Sequence, residues 1–319
     1  MSTRSILAIV VILLTSTSLG NAYNEQDLAK FASTNNCPSC DLSALSNNHI
    51  QGSSTLPDWL NRLMPKLIGT QISGANLVGT DLSYSDLKRA RLSYANLKGA
   101  YLYKANLRRA NLDRANFRNV YLSKATMDGV SLRNSDLSSA SLNEVILRGG
   151  QLQNTILTGS NLFQINLIGA NLYKAQLDYT DLTRSKLSFA NMAFANLDHA
   201  FLWKADLTAA KLNSSTLKSA NLREAKFERA ILEGADLSYA DLTKAELRGA
   251  NLNSTNLSNA ILRGADFSSF KMIIPIKTKL LGTNFRNSDL TDTNLSQKQV
   301  KEAILCNTKT PWGIDNSSC

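Results

Sequence analysis

Residues that commonly carry out enzymatic chemistry are scarce in this chain of 319 residues. It has two histidines, four cysteines and five prolines, and the histidines, His49 and His199, are far apart in the sequence. No G-x-S-x-G nucleophile motif, H-E-x-x-H zinc motif or glycine-rich phosphate loop is present. Both histidines are interpreted as ordinary surface residues. The sequence predicts no catalytic residue, no metal site and no cofactor, and it favours a protein that is not an enzyme.

Long apolar runs are equally rare, and one short run lies near the amino terminus. Arg4 precedes nine apolar residues at positions 6–14, and Gly20-Asn21-Ala22 then supplies a small-residue cleavage signal. This order is typical of a secretory signal peptide that is cleaved after Ala22. An uncleaved anchor is the alternative, but nine apolar residues are too few to span a bilayer, which needs about 20. We expect an exported mature protein without a transmembrane segment.

The chain has instead a repeat of five residues. From position 72 to position 267 every fifth residue, forty in all, is large and apolar, and the residue two before it is usually Ala, Ser or Thr. Ala95-Asn96-Leu97-Lys98-Gly99 illustrates this unit, A-(N/D)-L-x-x. Residues five apart lie about 140° apart around an α-helix and on opposite faces of a strand, so neither element explains the period. The repeat predicts a coil that turns a corner every five residues, with four units in a turn.

Such a coil places the large apolar residue and the small residue of each unit inside. The small residue is needed because two bulky side chains in each unit would overfill a narrow interior. Asp81, Asp181 and Asp241 occupy the N/D slot of the unit, so they are interpreted as structural. The predicted core includes Leu77, Leu97, Phe117, Leu137, Leu177, Leu197, Leu217, Phe227, Leu237 and Leu257.

Forty units in one register resemble the pentapeptide-repeat family, and the resemblance covers about two thirds of the chain. It implies an all-β solenoid, a right-handed quadrilateral β-helix. The sequence around Cys37-Pro38-Ser39-Cys40, together with Cys306-Asn307-Thr308 and the carboxyl-terminal Cys319, is similar to exported cyanobacterial members. That similarity implies the periplasm or the thylakoid lumen, with the extracellular space as a third candidate.

Open ends of a solenoid expose a core cross-section and unpaired strand edges, so we expect short α-helical caps. Residues 301–305 are compatible with either a last repeat or a short helix.

The spacing from Met272 to Leu280 is eight residues, which predicts three inserted residues. The expected segments are a signal peptide (1–22), a helical cap with a cysteine pair and an inserted helix (23–70), the repeats in about ten turns (71–270), a register-shifting insertion (271–281), and final repeats with a cysteine-bridged cap (282–319).

The four cysteines flank the repeats in two pairs. An even number in an oxidising compartment favours two disulfides, and the simplest pairing is Cys37–Cys40 and Cys306–Cys319. The length of the coil would separate the pairs too far for one shared zinc site. A redox-active C-x-x-C at Cys37 and Cys40 is the alternative, although the βαβ context of such motifs is missing.

Basic residues are concentrated on two adjacent walls of the predicted coil, and the chain has a net charge of +10. The more aromatic of the two, here called the basic aromatic wall, is the candidate interaction surface. It comprises Tyr103, Lys104, Lys124, Arg184, Trp203, Lys204, Arg223, Lys244 and Arg263. The wall either binds an anionic partner or forms solvated ladders that stiffen a β surface. Nucleic acid is disfavoured as a partner because the protein is expected to be exported.

The sequence therefore favours a non-catalytic exported scaffold that binds a protein whose identity is not predicted. Binding of an anionic partner through the basic aromatic wall is the alternative. Two weaker hypotheses are a thiol–disulfide function of Cys37 and Cys40, and the gyrase-directed DNA mimicry that some members of the family perform. Such mimicry requires an acidic surface and the cytosol, whereas this chain is basic and carries a predicted signal peptide.

Overall fold

The computed structural model describes residues 30, 34, 36, 38–39, 69–271 and 275–319. The predicted signal peptide, the cysteine pair Cys37 and Cys40, the inserted helix, His49 and Met272 lie outside the described residues. Two compact units make up the chain, Met1–Gln151 (unit 1) and Leu152–Cys319 (unit 2). No helix within the described ranges is long and apolar enough to cross a membrane.

Both units consist of stacked turns of a quadrilateral β-helix. Residues 20 positions apart form parallel bridges, such as Asn76 with Asn96 in unit 1 and Asn171 with Asn191 in unit 2. The Leu97 N–H donates to the Asn116 carbonyl on the next turn at 2.7 Å. Four units of five residues therefore complete one turn, and the predicted β-solenoid is confirmed within each unit.

Each five-residue unit contains one β-turn. The Ala100 N–H donates to the Leu97 carbonyl at 3.0 Å, which closes a turn over Lys98 and Gly99. Gly99 has a φ of 65°, and Lys104 at the equivalent position of the next unit has a φ of 54°. This left-handed conformation favours Gly or Asn at the third position of a turn. The last residue of A-(N/D)-L-x-x therefore projects from a corner of the coil, whatever its identity.

The interior consists of the large and small columns alone. Each of the ten predicted core residues, from Leu77 in unit 1 to Leu257 in unit 2, is at most 1% exposed. Several hydroxyl groups in the small column bond to backbone carbonyls, as when Thr80 donates from Oγ1 to the Leu77 carbonyl at 2.8 Å. Thr70 and Ser185 have no hydrogen-bond partner for their hydroxyls among the described residues. The charged side chains of the described repeats lie outside the two columns.

The register changes after Phe267. Bridges join residues 20 apart up to Glu246 and Asp266, but Asn251 pairs with Lys279, 28 residues ahead. Eight residues are therefore inserted, and the expectation of three was wrong. The extra chain forms a loop that Phe270 and Ile276 close by an antiparallel bridge. Insertions of three and of eight residues differ by one five-residue unit. They therefore leave the later leucines at the same positions of the repeat, and the sequence alone does not distinguish them.

The carboxyl-terminal cap is a hairpin. Its strands are β1 (Thr308–Thr310) and β2 (Gly313–Asp315), which pair antiparallel. No α-helix lies within residues 275–319, so the predicted helical cap at this end was wrong. Pro311 sets the φ of the hairpin turn and Gly313 has a φ of 120°, which glycine tolerates well. A turn of this kind supports two β-strands and interrupts a helix.

Two further features complete this end of unit 2. Residues 301–305 continue the coil, since Ile304 bridges to Asn284 and Leu305 is 3% exposed. A disulfide joins Cys306 to Cys319 with an S–S distance of 2.12 Å. It ties the last residue of the chain to the base of the hairpin. In the predicted amino-terminal cap (23–70), Lys30 and Thr34 are helical, and Asn36 forms a parallel bridge to Gln71. The Ser39 N–H donates to the Ser73 carbonyl at 2.8 Å.

Candidate functional site

The residues of the basic aromatic wall project from the turns of the coil in both units. Unit 1 holds Tyr103, Lys104 and Lys124, and unit 2 holds the remaining six residues. Lys104, Lys124, Arg184, Lys204 and Lys244 all occupy the left-handed turn position, with φ between 54° and 60°. The period of 20 therefore aligns these side chains in columns within each unit, and each column is spaced like neighbouring β-strands.

The unit 1 segment of the wall combines tyrosines with lysines. Lys104 Nζ lies 5.3 Å from the centroid of the Tyr103 ring and 5.7 Å from that of Tyr84. The two rings themselves meet edge to face at 5.5 Å. Lys124 forms an ion pair with Glu144 at 3.7 Å. Both lysines are thus held against neighbouring turns.

Trp203 is the centre of the unit 2 segment. The Lys204 Nζ lies 4.6 Å and the Arg184 Cζ 5.1 Å from the indole ring. The indole N–H donates to Glu224 Oε1 at 3.3 Å, and Lys204 pairs with the same carboxylate at 3.3 Å. Phe201, which is 53% exposed, lies two residues before Trp203 in the sequence. These contacts hold the cations in place around an aromatic side chain, and we call the group of Arg184, Trp203, Lys204 and Glu224 the Trp203 cluster.

The electrostatics of the Trp203 cluster follow from those contacts. The hydrogen bond from Trp203 lowers the pKa of Glu224, burial opposes the change, and Lys204 lowers the pKa further. Lys204 and Glu224 are 42% and 44% exposed, so their ion pair contributes little stability. The cluster therefore orders side chains at the surface more than it stabilises the fold.

The rest of the wall in unit 2 carries more matched charge than the sequence suggested. Arg223 pairs with Asp241 at 3.5 Å and Arg263 with Asp289 at 3.9 Å. Lys244 lies between these pairs in an open groove and has no ion pair with the described residues. Asp241 and Asp289 occupy the N/D slot, which the count of basic residues on the walls left out. Including that slot at the same period of 20 would have revealed Asp241, but not Asp289, which pairs with the turn 28 residues before it.

A second charged group lies on the neighbouring wall of unit 2. Arg248 contacts the carboxylates of Glu228 and Glu246 and lies 3.5 Å from Asp266. Burial and the adjacent Glu228 raise the pKa of Glu246. Burial opposes a lower pKa at Glu228, but hydrogen bonds from Arg248 and Glu246 outweigh it. Arg248 thus bridges three carboxylates in an ion-pair network, which is interpreted as structural.

The remaining sequence candidates are dispersed. His199 stacks on Tyr179, with ring centroids 4.8 Å apart. No group of His, Cys, Asp or Glu side chains capable of holding a metal ion occurs among residues 69–271 and 275–319. Cys306 and Cys319 are joined to each other, while Cys37 and Cys40 are outside the described residues. Of the predicted site residues, the structure thus brings together Arg184, Trp203 and Lys204.

The chain matches the family model of "Pentapeptide repeats" in 8 copies. The matched residues are 70–109, 110–149, 151–188, 190–229, 230–268 and 276–305. No curated protein matches the chain in the corresponding search.

Solved structures of pentapeptide-repeat proteins are similar to this chain. HetL from the cyanobacterium Nostoc sp. strain PCC 7120, described as involved in heterocyst differentiation regulation, is 31% identical over 75% of this chain and 90% of HetL, with a TM-score of 0.32. A pentapeptide repeat protein from the thylakoid lumen of Arabidopsis thaliana is 29% identical over 43% of this chain and 81% of its own, with a TM-score of 0.22. QnrB1, a plasmid-mediated fluoroquinolone resistance protein, is 17% identical over 62% of this chain and 85% of its own, with a TM-score of 0.30.

Proposed function

Because this chain belongs to the pentapeptide-repeat family, we propose that it is a non-catalytic scaffold of an exported compartment that binds a protein partner. The partner is acidic, and it contacts the unit 2 segment of the basic aromatic wall. The coil serves to hold the side chains of its turns in fixed columns. Recognition then depends on which side chains occupy the columns.

The Trp203 cluster is the observation that carries this proposal. Trp and Arg are the residues most often found at the energetic centres of protein interfaces. Here Arg184 and Lys204 are already held against the Trp203 ring, at 5.1 and 4.6 Å. A partner would pay little ordering entropy when it contacts side chains that are held in place. Exposed Phe201 adds apolar area beside the cations.

Export is supported by the order of residues at the amino terminus. A positive residue, nine apolar residues and a small-residue site precede Tyr23. The disulfide between Cys306 and Cys319 suits an oxidising compartment such as the periplasm or the thylakoid lumen. The net charge of +10 is opposite to what mimicry of DNA requires.

Capture from an extract of the exported compartment tests the proposal. The bait is the tagged chain, and the test variant is Arg184→Gly with Lys204→Gly. Both residues have a φ of 56°, so glycine fits their backbone and the fold should be preserved. We expect this variant to lose the captured partner, because both cations beside Trp203 are removed.

A matched control removes the same charge from other corners of unit 2. Lys174→Gly with Arg229→Gly changes two basic residues with φ values of 57° and 58°. We expect this control to retain the partner. Identical captured proteins from all three baits would contradict a role for the Trp203 cluster.

A further inference from the structure

A group of basic side chains in the first turns of unit 1 has no acidic counterpart of its own. It consists of Lys88, Arg89 and Arg91 on one turn and Arg108 and Arg109 on the next, and we call it the basic corner. The Arg89 N–H donates to the Arg108 carbonyl at 2.9 Å, so the two turns are direct neighbours. All four arginines are exposed and Lys88 is half-buried.

The charge of the basic corner is poorly neutralised. Lys88, Arg89, Arg91 and Arg109 form no ion pair within the described part of the chain. Arg108 lies 3.3 Å from Asp128, but it shares that carboxylate with Arg148 at 2.9 Å. Asp86 is the nearest acidic residue in the sequence, and it accepts hydrogen bonds from the Lys88 N–H and from the Asn106 amide. By contrast, several other cations of unit 1 contact an acidic residue or a tyrosine ring, namely Lys104, Arg114, Arg118, Lys124, Arg133 and Arg148.

The basic corner keeps arginine where the backbone favours glycine. Arg89 and Arg109 have φ values of 59° and 56°, and Gly129, at the same corner of the following turn, has a φ of 64°. A side chain in this region is less favourable than glycine, although non-glycine residues such as Lys104 and Lys124 also adopt it at other corners of unit 1. Neither arginine forms an ion pair within the described residues that would offset this effect.

The composition of the basic corner indicates the kind of partner. No large apolar side chain is exposed at residues 86–91 or 106–111. Protein interfaces have an apolar and aromatic centre from which charged residues are depleted, so this surface does not resemble one. A corner is also convex, whereas small ligands bind in concave sites. Anionic lipid headgroups need neither an apolar centre nor a pocket, since basic residues near a membrane surface attract them by charge alone.

From these observations we propose that the basic corner binds the anionic headgroups of a membrane surface. The interaction is peripheral and electrostatic, and it weakens as the salt concentration rises. It is separate from the Trp203 cluster, which lies in unit 2 and is assigned to a protein partner.

Co-sedimentation of the full chain with lipid vesicles tests the proposal. Vesicles of phosphatidylcholine with phosphatidylglycerol supply the anionic surface, and vesicles of phosphatidylcholine alone measure any contribution of the apolar residues 6–14. We expect binding to the anionic vesicles that salt weakens. Arg89→Gly with Arg109→Gly should lower the partition coefficient about thirtyfold, because each basic residue near an anionic surface contributes a factor of about five. Glycine suits both positions, so thermal unfolding should show a fold at least as stable as the wild type.

Lys104→Gly with Lys124→Gly is the matched control. These lysines lie in the same unit, have φ values of 54° and 60°, and carry the same total charge. The control should retain most of the vesicle binding. An equal loss in both variants would overturn the proposal, because net charge and not the basic corner would then be responsible. Equal binding of the wild type to neutral vesicles would also overturn it. So would an arginine variant that still binds the anionic vesicles but no longer binds a double-stranded DNA probe or an acidic protein. Failure of any kind here leaves the capture experiment on the Trp203 cluster unaffected.

Discussion

At the scale of single residues, an Asn or Asp in the N/D slot accepts a hydrogen bond from one backbone N–H of its own five-residue unit. In the unit that starts at Asn161, the Phe163 N–H donates to Asn161 Oδ1 at 3.0 Å. The same contact recurs along both units, as between the Lys98 N–H and Asn96 Oδ1 at 3.3 Å. Other N–H groups of the unit bond to backbone carbonyls of the same or neighbouring turns. The slot side chain thus supplies an acceptor where the backbone offers none.

Removal of this acceptor should destabilise the coil by a modest amount. Asn161→Ala leaves the Phe163 N–H without its partner, and we expect a loss of about 1 kcal/mol in the free energy of unfolding. Phe201→Asn is the opposite change. Phe201 fills the N/D slot of its unit, and the backbone N–H of Trp203 has no acceptor among the described residues. It should raise stability by a similar amount. Chemical denaturation followed by far-UV circular dichroism measures both, and two changes of the same sign would contradict this role of the slot.

An aspartate in the slot adds a dependence on pH. Burial opposes a lower pKa at Asp206, but hydrogen bonds from Thr208 and Ser188 outweigh it, and the pKa lies below its usual range. The Ser188 hydroxyl donates to Asp206 Oδ2 at 2.8 Å and the Thr208 N–H to Oδ1 at 3.0 Å. A lowered pKa gives stability that is present above the unfolded-state pKa and is lost as the pH falls through the folded-state value.

Asp206→Asn should remove that dependence while keeping the acceptor for the Thr208 N–H. We expect the wild type to have the higher Tm at neutral pH and the difference to shrink below about pH 4. Thermal unfolding across this pH range measures it. A difference in Tm that does not change with pH would show that the hydrogen bonds to the ionised carboxylate do not matter.

At the scale of elements, the loop between Asp266 and Lys279 packs on the turn at Gly249. A methyl group at Gly249 would lie 2.8 Å from Phe270 Cβ and 2.9 Å from the Ile276 carbonyl oxygen. The Gly249 N–H also donates a hydrogen bond to the Thr278 hydroxyl oxygen at 3.0 Å. Phe270, Ile276 and Thr278 therefore lie directly against the backbone of unit 2.

Alanine substitutions at two glycines distinguish the effect of packing against the loop on stability from the effect of backbone strain alone. Gly159 has a φ of 66° and Gly249 a φ of 64°, but a methyl group at Gly159 would meet nothing within 4 Å. Gly159→Ala should cost about 1 kcal/mol from the left-handed backbone alone. Gly249→Ala should cost at least about 1 kcal/mol more, because the loop must move. Equal losses in unfolding free energy would mean that the loop does not rest on Gly249.

The sequence predicted the coil but not its interruptions. The column from Leu77 to Leu257 determines the path of the chain because no other backbone geometry buries every fifth residue. The same periodicity cannot distinguish three inserted residues from eight, so the length of the loop at Phe270 required coordinates. The hairpin at Pro311 was missed because the end of a coil has no repeat to follow. Its local signals, a proline in the turn and Gly313 after it, favour a hairpin over a helix.

The candidate site was only partly predictable for a related reason. Residues on the basic aromatic wall follow from the period of 20, which places Arg184 and Lys204 one turn apart. Their contacts with Trp203 depend on side-chain conformations that the period does not determine. The counting also left out the N/D slot, so the pair of Arg223 with Asp241 was not foreseen. The pair of Arg263 with Asp289 was hidden by the length of the insertion, which places these residues on adjacent turns.

At the scale of the whole molecule, the proposed export would determine which partners the protein can meet. We expect the mature chain to begin at Tyr23, because the predicted cleavage follows Ala22. Fractionation of cells that express the full chain, followed by amino-terminal sequencing, measures both the compartment and the first residue. A mature protein recovered from the cytosol with residues 1–22 intact would contradict export.

The central claim is that a partner protein contacts the coil at the Trp203 cluster. Site-specific photocrosslinking in intact cells tests it most directly, with a photoreactive phenylalanine analogue placed at Phe201 or, as the control, at Tyr239. Both side chains are exposed, at 53% and 65%, and both belong to unit 2. We expect a discrete higher-mass adduct from position 201 and none from position 239. The same adducts from both positions, or none from position 201, would contradict it.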